Sequence, residues 1–262
     1  MQFLSNDWGV RMLLELKNIT KFFPGKDAPV LDQVSFALDV GERVGIIGPS
    51  GSGKSTLARI IARLEAADAG SVAFNGATLR FGHEEPKSVT SNMIPSRPRA
   101  QRGSSRSHRP SRGDRERIHA AWLDMQMVFQ NPEASFSDRF SIGRAVWEGA
   151  AYHPAFAQAS KEEREEKVAR TLEVVGLERT FATKRIFELS GGEAQRASIA
   201  RAIIGEPKLI ICDEATSALD VTVQARIMDL LKHLYSDHGM AILFISHDLA
   251  LVQDFCDRIY ML

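Results

Sequence analysis

Apolar residues along this chain fall into short runs whose spacing changes character several times. Leu13 to Phe23 alternates loosely between apolar and polar positions and predicts a strand, and Val34 to Val40 predicts a second. Asp39-Val40-Gly41-Glu42 turns the chain into a continuously apolar strand, Arg43 to Gly48. A helix is expected from about Ser55 to Leu64, because Leu57, Ile60, Ile61 and Leu64 recur at the spacing of one helical face. Ser71 to Asn75 and Met125 to Phe129 read as short strands. From Ala134 to Glu188 the pattern is helical, most clearly over Lys161 to Val175, where Val168, Leu172 and Val175 share a face. A helix from about Gly191 to Ile204, a buried strand at Lys208 to Cys212 and a helix near Val221 to Tyr235 follow. A strand at Ala241 to Ile245, a short helix and a last strand at Arg258 to Leu262 complete the series.

Apolar β-runs alternating with helices indicate an α/β fold with a mainly parallel sheet covered on both faces. The length of 262 residues suits one sizeable domain over residues 1–262. Within it the pattern divides into a β and glycine-rich part at 12–80, an insertion at 81–118, a helical subdomain at 131–189 and a second α/β part at 190–262. Arg80 to Arg117 has almost no apolar periodicity and contains Pro95, Pro98 and Pro110, so it is expected to stay a disordered loop.

Charge changes this picture only locally. Lys+Arg and Asp+Glu balance at 33 each, which gives no global field toward nucleic acid or membrane. Between Arg97 and Arg117, however, eight arginines face only Asp114 and Glu116. Two cysteines, Cys212 and Cys256, make no disulfide framework and are expected to be buried thiols. No apolar run reaches the roughly 18 residues of a membrane span. Residues 1–11 lack the pattern of a signal peptide, and Met12, just before the first strand, is a candidate start. A membrane role would therefore come through a partner.

Two stretches carry chemistry on their own residues. Gly48-Pro49-Ser50-Gly51-Ser52-Gly53-Lys54-Ser55-Thr56 fits G-x-x-x-x-G-K-[ST] and lies between a predicted strand and helix. The glycines let backbone N–H groups close around phosphates, and the helix N-terminus adds its positive dipole end. Lys54 would reach the β- and γ-phosphates of ATP, and the Ser55 hydroxyl would ligate Mg²⁺. Leu209-Ile210-Ile211-Cys212-Asp213-Glu214 is an apolar strand ending in two carboxylates. Asp213 is suited to hold Mg²⁺, directly or through water, and Glu214 to polarise an attacking water.

A third stretch, Leu189-Ser190-Gly191-Gly192-Glu193-Ala194-Gln195-Arg196, resembles the LSGGQ signature of the ATP-binding cassette family. The resemblance covers almost the whole chain. It implies a phosphate-loop cassette with a mainly parallel core, an antiparallel β part near the N-terminus and an inserted helical subdomain. It also implies a dimer in which Ser190, Gly191 and Gly192 bind the γ-phosphate of ATP held by the opposite subunit. Glu193 stands where the family has Gln, and a carboxylate there disfavours a phosphate unless it points away or serves the helix start. By the same resemblance Gln130 is the Q-loop glutamine that contacts Mg²⁺, Ser217-Ala218-Leu219-Asp220 is the D-loop, and His247 is the switch histidine. Phe23 is the choice for the aromatic that stacks on adenine, with Phe22 the alternative. One of the two is expected in the core, since successive strand residues face opposite ways.

Met127 to Phe136 resembles the "MVFQNPxxSL" stretch of the oligopeptide, dipeptide and nickel importer subfamily. Leu189 to Arg196 and Phe244 to Arg258 look most like the second ATPase subunit of nickel and metallophore importers. Such systems imply two permease subunits, a second and different ATP-binding subunit, an extracytoplasmic binding protein, and a place on the cytoplasmic face of the membrane. The chain departs from the subfamily in its Arg-rich insertion and in stopping at Leu262, either a cut end or the lack of a C-terminal extension. The competing class is a soluble cassette ATPase acting on nucleic acid. Eight arginines would neutralise several phosphates, but the insertion has no aromatic residues to stack on bases, and no specific nucleic-acid partner is expected.

Overall fold

The computed structural model describes residues 12–25, 27–79, 123–217 and 219–262. The Arg-rich insertion expected at Arg80 to Arg117 and the segment before Met12 lie outside the described residues. Two sheets form. The first is antiparallel, in the order β2-β1-β4-β5, from β1 (Met12–Lys21), β2 (Leu31–Asp39), β4 (Ala69–Phe74) and β5 (Ala77–Leu79). The second is wholly parallel, in the order β6-β7-β8-β3-β9, from β3 (Arg43–Ile47), β6 (Met125–Val128), β7 (Leu209–Asp213), β8 (Ala241–Ile245) and β9 (Arg258–Met261). The expected α/β class and the antiparallel N-terminal part are both present.

Continuous burial along β7 and β8 explains why neither strand alternates in sequence: each face of the parallel sheet meets a different core. Leu209, Ile211, Leu243 and Ile245 pack with the antiparallel sheet and with Leu57, Ile60 and Ile61 of α1 (Lys54–Ile61). Ile210, Cys212, Ile242 and Phe244 pack on the other side against the helices that follow β6. At roughly 25 cal/mol per Å² of apolar surface removed from water, two such faces supply the main driving force of the fold. The predicted run to Leu64 is too long, because α1 ends at Ile61 and Leu64 is 60% exposed. Positive φ at Arg63 breaks the helical period before Leu64 can join the face. Strand β5 is too short to carry a pattern and has no counterpart among the predicted elements.

Residues 134–188 are less helical than their pattern suggests. They hold two α-helices, α2 (Ile142–Trp147) and α3 (Lys161–Val174), with 3₁₀ turns elsewhere. The α3 start is secured by a capping box: Glu163 N–H donates to Ser160 Oγ at 3.1 Å, and Ser160 N–H donates to Glu163 Oε2 at 2.7 Å. Val168, Leu172 and Val175 are buried, as the spacing predicts. Their core is shared with α4 (Gly191–Ile203), α5 (Val221–His238) and α6 (Leu249–Phe255), so this region packs on the sheet and has no separate centre. Cys212 is buried and its thiol is pushed up to about 12, chiefly by that burial, while Cys256 is partly exposed; both are free.

Candidate functional site

Parallel strands present their C-terminal ends along one edge of a sheet, and in open α/β folds that edge binds ligands. Here β3 leads into Gly48, β6 into Gln130, β7 into Glu214 and β8 into His247. Four segments far apart in sequence therefore converge because one sheet delivers them.

The loop after β3 is shaped by close contacts. Gly53 has φ 98°, and a methyl group there would lie 2.7 Å from Leu31 Cδ2 and 2.8 Å from the Val30 carbonyl oxygen. At Gly48 a methyl would lie 2.5 Å from the Leu262 carbonyl oxygen and 2.8 Å from Ser52 Oγ. Both positions thus require glycine, one for conformation and space and the other for space alone. Lys54 starts α1, is 5% exposed, and its ammonium donates to the Gly48 and Pro49 carbonyls at 2.8 and 2.9 Å. Ser50, Gly51, Ser55 and Thr56 join Gly53, Lys54, Phe23, Val30, Gln130 and Glu214 around a cleft of about 390 Å³. Ser52 Oγ is buried beside the loop backbone without a hydrogen-bond partner among the described residues.

The two carboxylates differ in environment. Asp213 accepts a 3.0 Å hydrogen bond from Ser55 Oγ, and burial raises its pKa above the ordinary aspartate value, opposed by that bond and seconded by the charge of Glu214. Glu214 has φ 48°, a left-handed conformation that a long side chain adopts only under constraint from its surroundings. Its N–H is tied to the Ile245 carbonyl at 3.0 Å, and its carboxylate accepts from Gln130 Nε2 at 3.0 Å. His247 Nδ1 stands 3.6 Å from Glu214 Oε1, with its ring 60% exposed. Gln130 also donates to Ser217 Oγ at 3.3 Å, so Ser217 ties the next loop into the same cluster.

This donor set fits a nucleotide with a hard cation. A serine hydroxyl and a carboxylate 3.0 Å apart, with a glutamine amide nearby, are oxygen ligands of the kind that Mg²⁺ selects. At Gly48 and Gly53 the loop before them leaves room only for backbone. Asp213 supplies a check on this reading. An acid whose folded pKa lies above its unfolded value costs stability once ionised. That cost appears as pH rises past the usual aspartate range and is complete above the folded pKa. Asp213→Asn is therefore expected to raise the metal-free melting temperature at pH 7.5, with the gain shrinking toward pH 4. Adding Mg²⁺ to ATP should then stabilise the parent more than it stabilises the variant. A variant that melts below the parent in EDTA would overturn the assignment.

The remaining predicted positions lie elsewhere. Ser190, Gly191, Gly192 and Glu193 form the start of α4, and none of them lines the cleft. Glu193 does serve the helix start: its carboxylate accepts from Ser190 N–H at 2.8 Å and from Ser190 Oγ at 2.7 Å. These two bonds, the backbone one first, hold its pKa below the usual glutamate range. Gly192 packs against Val223. Asp220 caps α5, accepting from Val223 N–H at 2.9 Å, and also stays out of the cleft. Phe23 lines the cleft, whereas Phe22 does not and is 48% exposed. The expectation that one of them is core is wrong. Strand β1 ends at Lys21, so the alternation no longer applies to either ring. Val30, which lines the cleft beside Phe23, was not among the predicted site residues; it carries no polar signal, and only its place after the turn could have marked it.

The ABC transporter family profile matches residues 31–217. The chain is 36% identical over 249 residues to the oligopeptide transport ATP-binding protein OppF of Bacillus subtilis, covering 94% of this chain and 71% of that protein. To the OppF of Escherichia coli K12 it is 37% identical over 256 residues, covering 97% of this chain and 66% of that protein. Among solved structures, the dimeric post-hydrolysis ATP-binding cassette MJ0796 bound to ADP and Pi superposes with a TM-score of 0.71 at 27% identity. That match covers 95% of this chain and 94% of the other. A phosphate loop, an acidic strand end and a glycine-led helix on one parallel sheet, matched by this profile over most of the length, place the chain in the ABC transporter family of ATP-binding proteins.

Proposed function

We propose that this chain is the ATP-hydrolysing subunit of a peptide importer, working as one of two unlike cassettes. The observation that carries the reading is the convergence of Lys54, Ser55, Gln130, Asp213, Glu214 and His247 on the C-terminal edge of one sheet. In this reading the loop from Gly48 to Thr56 binds the triphosphate, Lys54 leaves its two carbonyl partners for the β- and γ-phosphates, and Phe23 stacks on adenine. Ser55, Asp213 and Gln130 would hold Mg²⁺, which when bound would neutralise charge on the phosphates. Glu214 accepts a proton from the attacking water, and His247, beside it, contacts the γ-phosphate. A site completed in trans is supported by the separation of Ser190 to Glu193 from the cleft: a second glycine-led helix start lies outside the first anion site.

Both relatives named above are oligopeptide-transport proteins, which favours a peptide cargo over a nickel complex. No helix among the described residues is long and apolar enough to cross a membrane. Transport would then need two permease subunits, with this chain peripheral on their cytoplasmic side and a binding protein outside. The test is assembly. The purified chain alone should hydrolyse ATP slowly, and co-expression with a different cassette and two permeases should raise turnover at least about tenfold (about 1.4 kcal/mol of barrier). Proteoliposomes of that assembly should take up labelled oligopeptide. Robust turnover by the chain alone would remove the pairing of unlike cassettes, and uptake of chelated nickel without peptide would reverse the cargo.

A further inference from the structure

Lys21 occupies an unusual place for a lysine. It ends β1 on the buried side, and its side chain is only 9% exposed. Its ammonium donates to the Ala66 carbonyl at 2.7 Å and pairs with Glu65 Oε1 at 2.7 Å. It also stands 5.3 Å from the centroid of the Phe23 ring, within the range of a cation–π contact. The next residue is held from the same turn. Phe22 N–H donates to Asp68 Oδ2 at 2.6 Å, and Asp68 N–H donates to the Thr20 carbonyl at 2.9 Å. Residues 65–68 thus clasp residues 20–22 through two charged side chains and two backbone groups.

The clasp sits at one end of a rigid element whose other end is the phosphate loop. Residues 65–68 follow the C-terminal end of α1, and the phosphate loop forms its N-terminal end. Val30 N–H donates to the Lys21 carbonyl at 2.7 Å, which brings the returning chain, and with it Val30, to the cleft wall beside Phe23. Solvated lysines are common at strand ends, but desolvating one costs several kcal/mol unless it is paired. Here the paired lysine stands beside an aromatic ring that joins neither core cluster of the described residues.

We infer that Lys21, seconded by Asp68, is a positioning residue that sets the Phe23 ring at a fixed reach from the phosphate loop, so that adenine and triphosphate are bound together. The inference rests on Phe23 being the adenine platform. Lys21 does not touch the reacting atoms. It orients the platform and covers part of the ring with positive charge, and it leaves the phosphate cradle to α1 and the loop.

A ligand without a base separates this role from general structural support. Binding of ATP and of inorganic tripolyphosphate to the purified chain is measured by calorimetry for the parent, Lys21→Met, Asp68→Ala and Phe23→Ala. Asp68 is exposed, so its variant keeps the test alive if Lys21→Met fails to fold. Lys21→Met is expected to weaken ATP by about three- to tenfold, the range of one desolvated cation–π contact, and to leave tripolyphosphate unchanged. Asp68→Ala should follow the same pattern to a smaller extent. Equal weakening of both ligands, or of neither, overturns the inference while Phe23→Ala still weakens ATP selectively. If Phe23→Ala also shows no selective loss, the reading of Phe23 as adenine platform falls instead.

Discussion

Glu214→Gln is expected to slow hydrolysis at the site holding this chain's phosphate loop by about 10²–10⁴-fold, the range for loss of a positioned general base. ATP affinity should stay within about threefold of the parent. The substitution keeps the shape of the site. Gln130 can still donate to an amide oxygen at the position of Glu214 Oε2, and the backbone tie to Ile245 does not involve the side chain. The left-handed φ of residue 214 is unaffected, because Gln and Glu have the same steric demand there. The amide lacks only the basicity. Single-turnover hydrolysis of pre-bound ATP in the assembled complex reads the chemical step directly, and calorimetry reads binding. Unchanged turnover would remove Glu214 from catalysis and shift attention to His247, 3.6 Å away. A parallel loss of affinity would mean instead that the carboxylate organises the cleft.

Much of this site is legible in sequence because each part is local. Gly48 to Thr56 and Leu209 to Glu214 carry their chemistry within a few residues, and the strands that deliver them are apolar enough to be read unaided. What joins those parts is not local. The bond between Ser55 and Asp213 spans two strands separated by β8, and no spacing in the chain encodes it. Glu193 was ambiguous for the same reason: whether its carboxylate faces a phosphate or its own helix depends on a rotamer, and it turns back to Ser190. Lys21 did leave a trace. After the irregularity at Asn18, which has φ 52°, the inward positions of β1 are Ile19 and Lys21, and a charge on a buried face is a signal that alternation can expose. Leu64 failed in the opposite direction, since an apolar residue in helical register is exposed once the helix has ended. Between Ala134 and Glu188 the periodicity was real but the helices are short, because 3₁₀ turns satisfy the backbone where the chain wraps α4.

Gly149 shows how far packing can depend on a residue that sequence does not mark. It follows α2 with no positive φ, so nothing in its backbone conformation requires glycine. A methyl group there would fall well inside van der Waals contact with the Arg201 carbonyl oxygen and lie 3.0 Å from Ile204 Cγ2. The obstacle is backbone at the end of α4, which cannot turn aside as a side chain would. Gly149→Ala is therefore expected to cost about 3 kcal/mol, the upper part of the range for overpacking, and to lower the melting temperature by about 6–12 °C. Gly76→Ala is the control. Gly76 has φ 75° with no atom of the described residues within 4 Å of the added methyl, so it carries conformational strain alone, about 1 kcal/mol. The loss at Gly149 should also reach the site. Arg201 is desolvated, donates to the Ser135 carbonyl and hydroxyl, and lies 4.6 Å over the Phe136 ring, so it binds α4 to the segment that follows Gln130. Prising α2 from α4 moves that segment. The folded fraction of Gly149→Ala, measured below its melting point, should then hydrolyse ATP more slowly than the parent, whereas Gly76→Ala should match it. Melting within about 2 °C of the parent would show that α2 and α4 can separate without cost, and unchanged hydrolysis in a destabilised variant would show that Arg201 does not couple the glycine-led helix to Gln130.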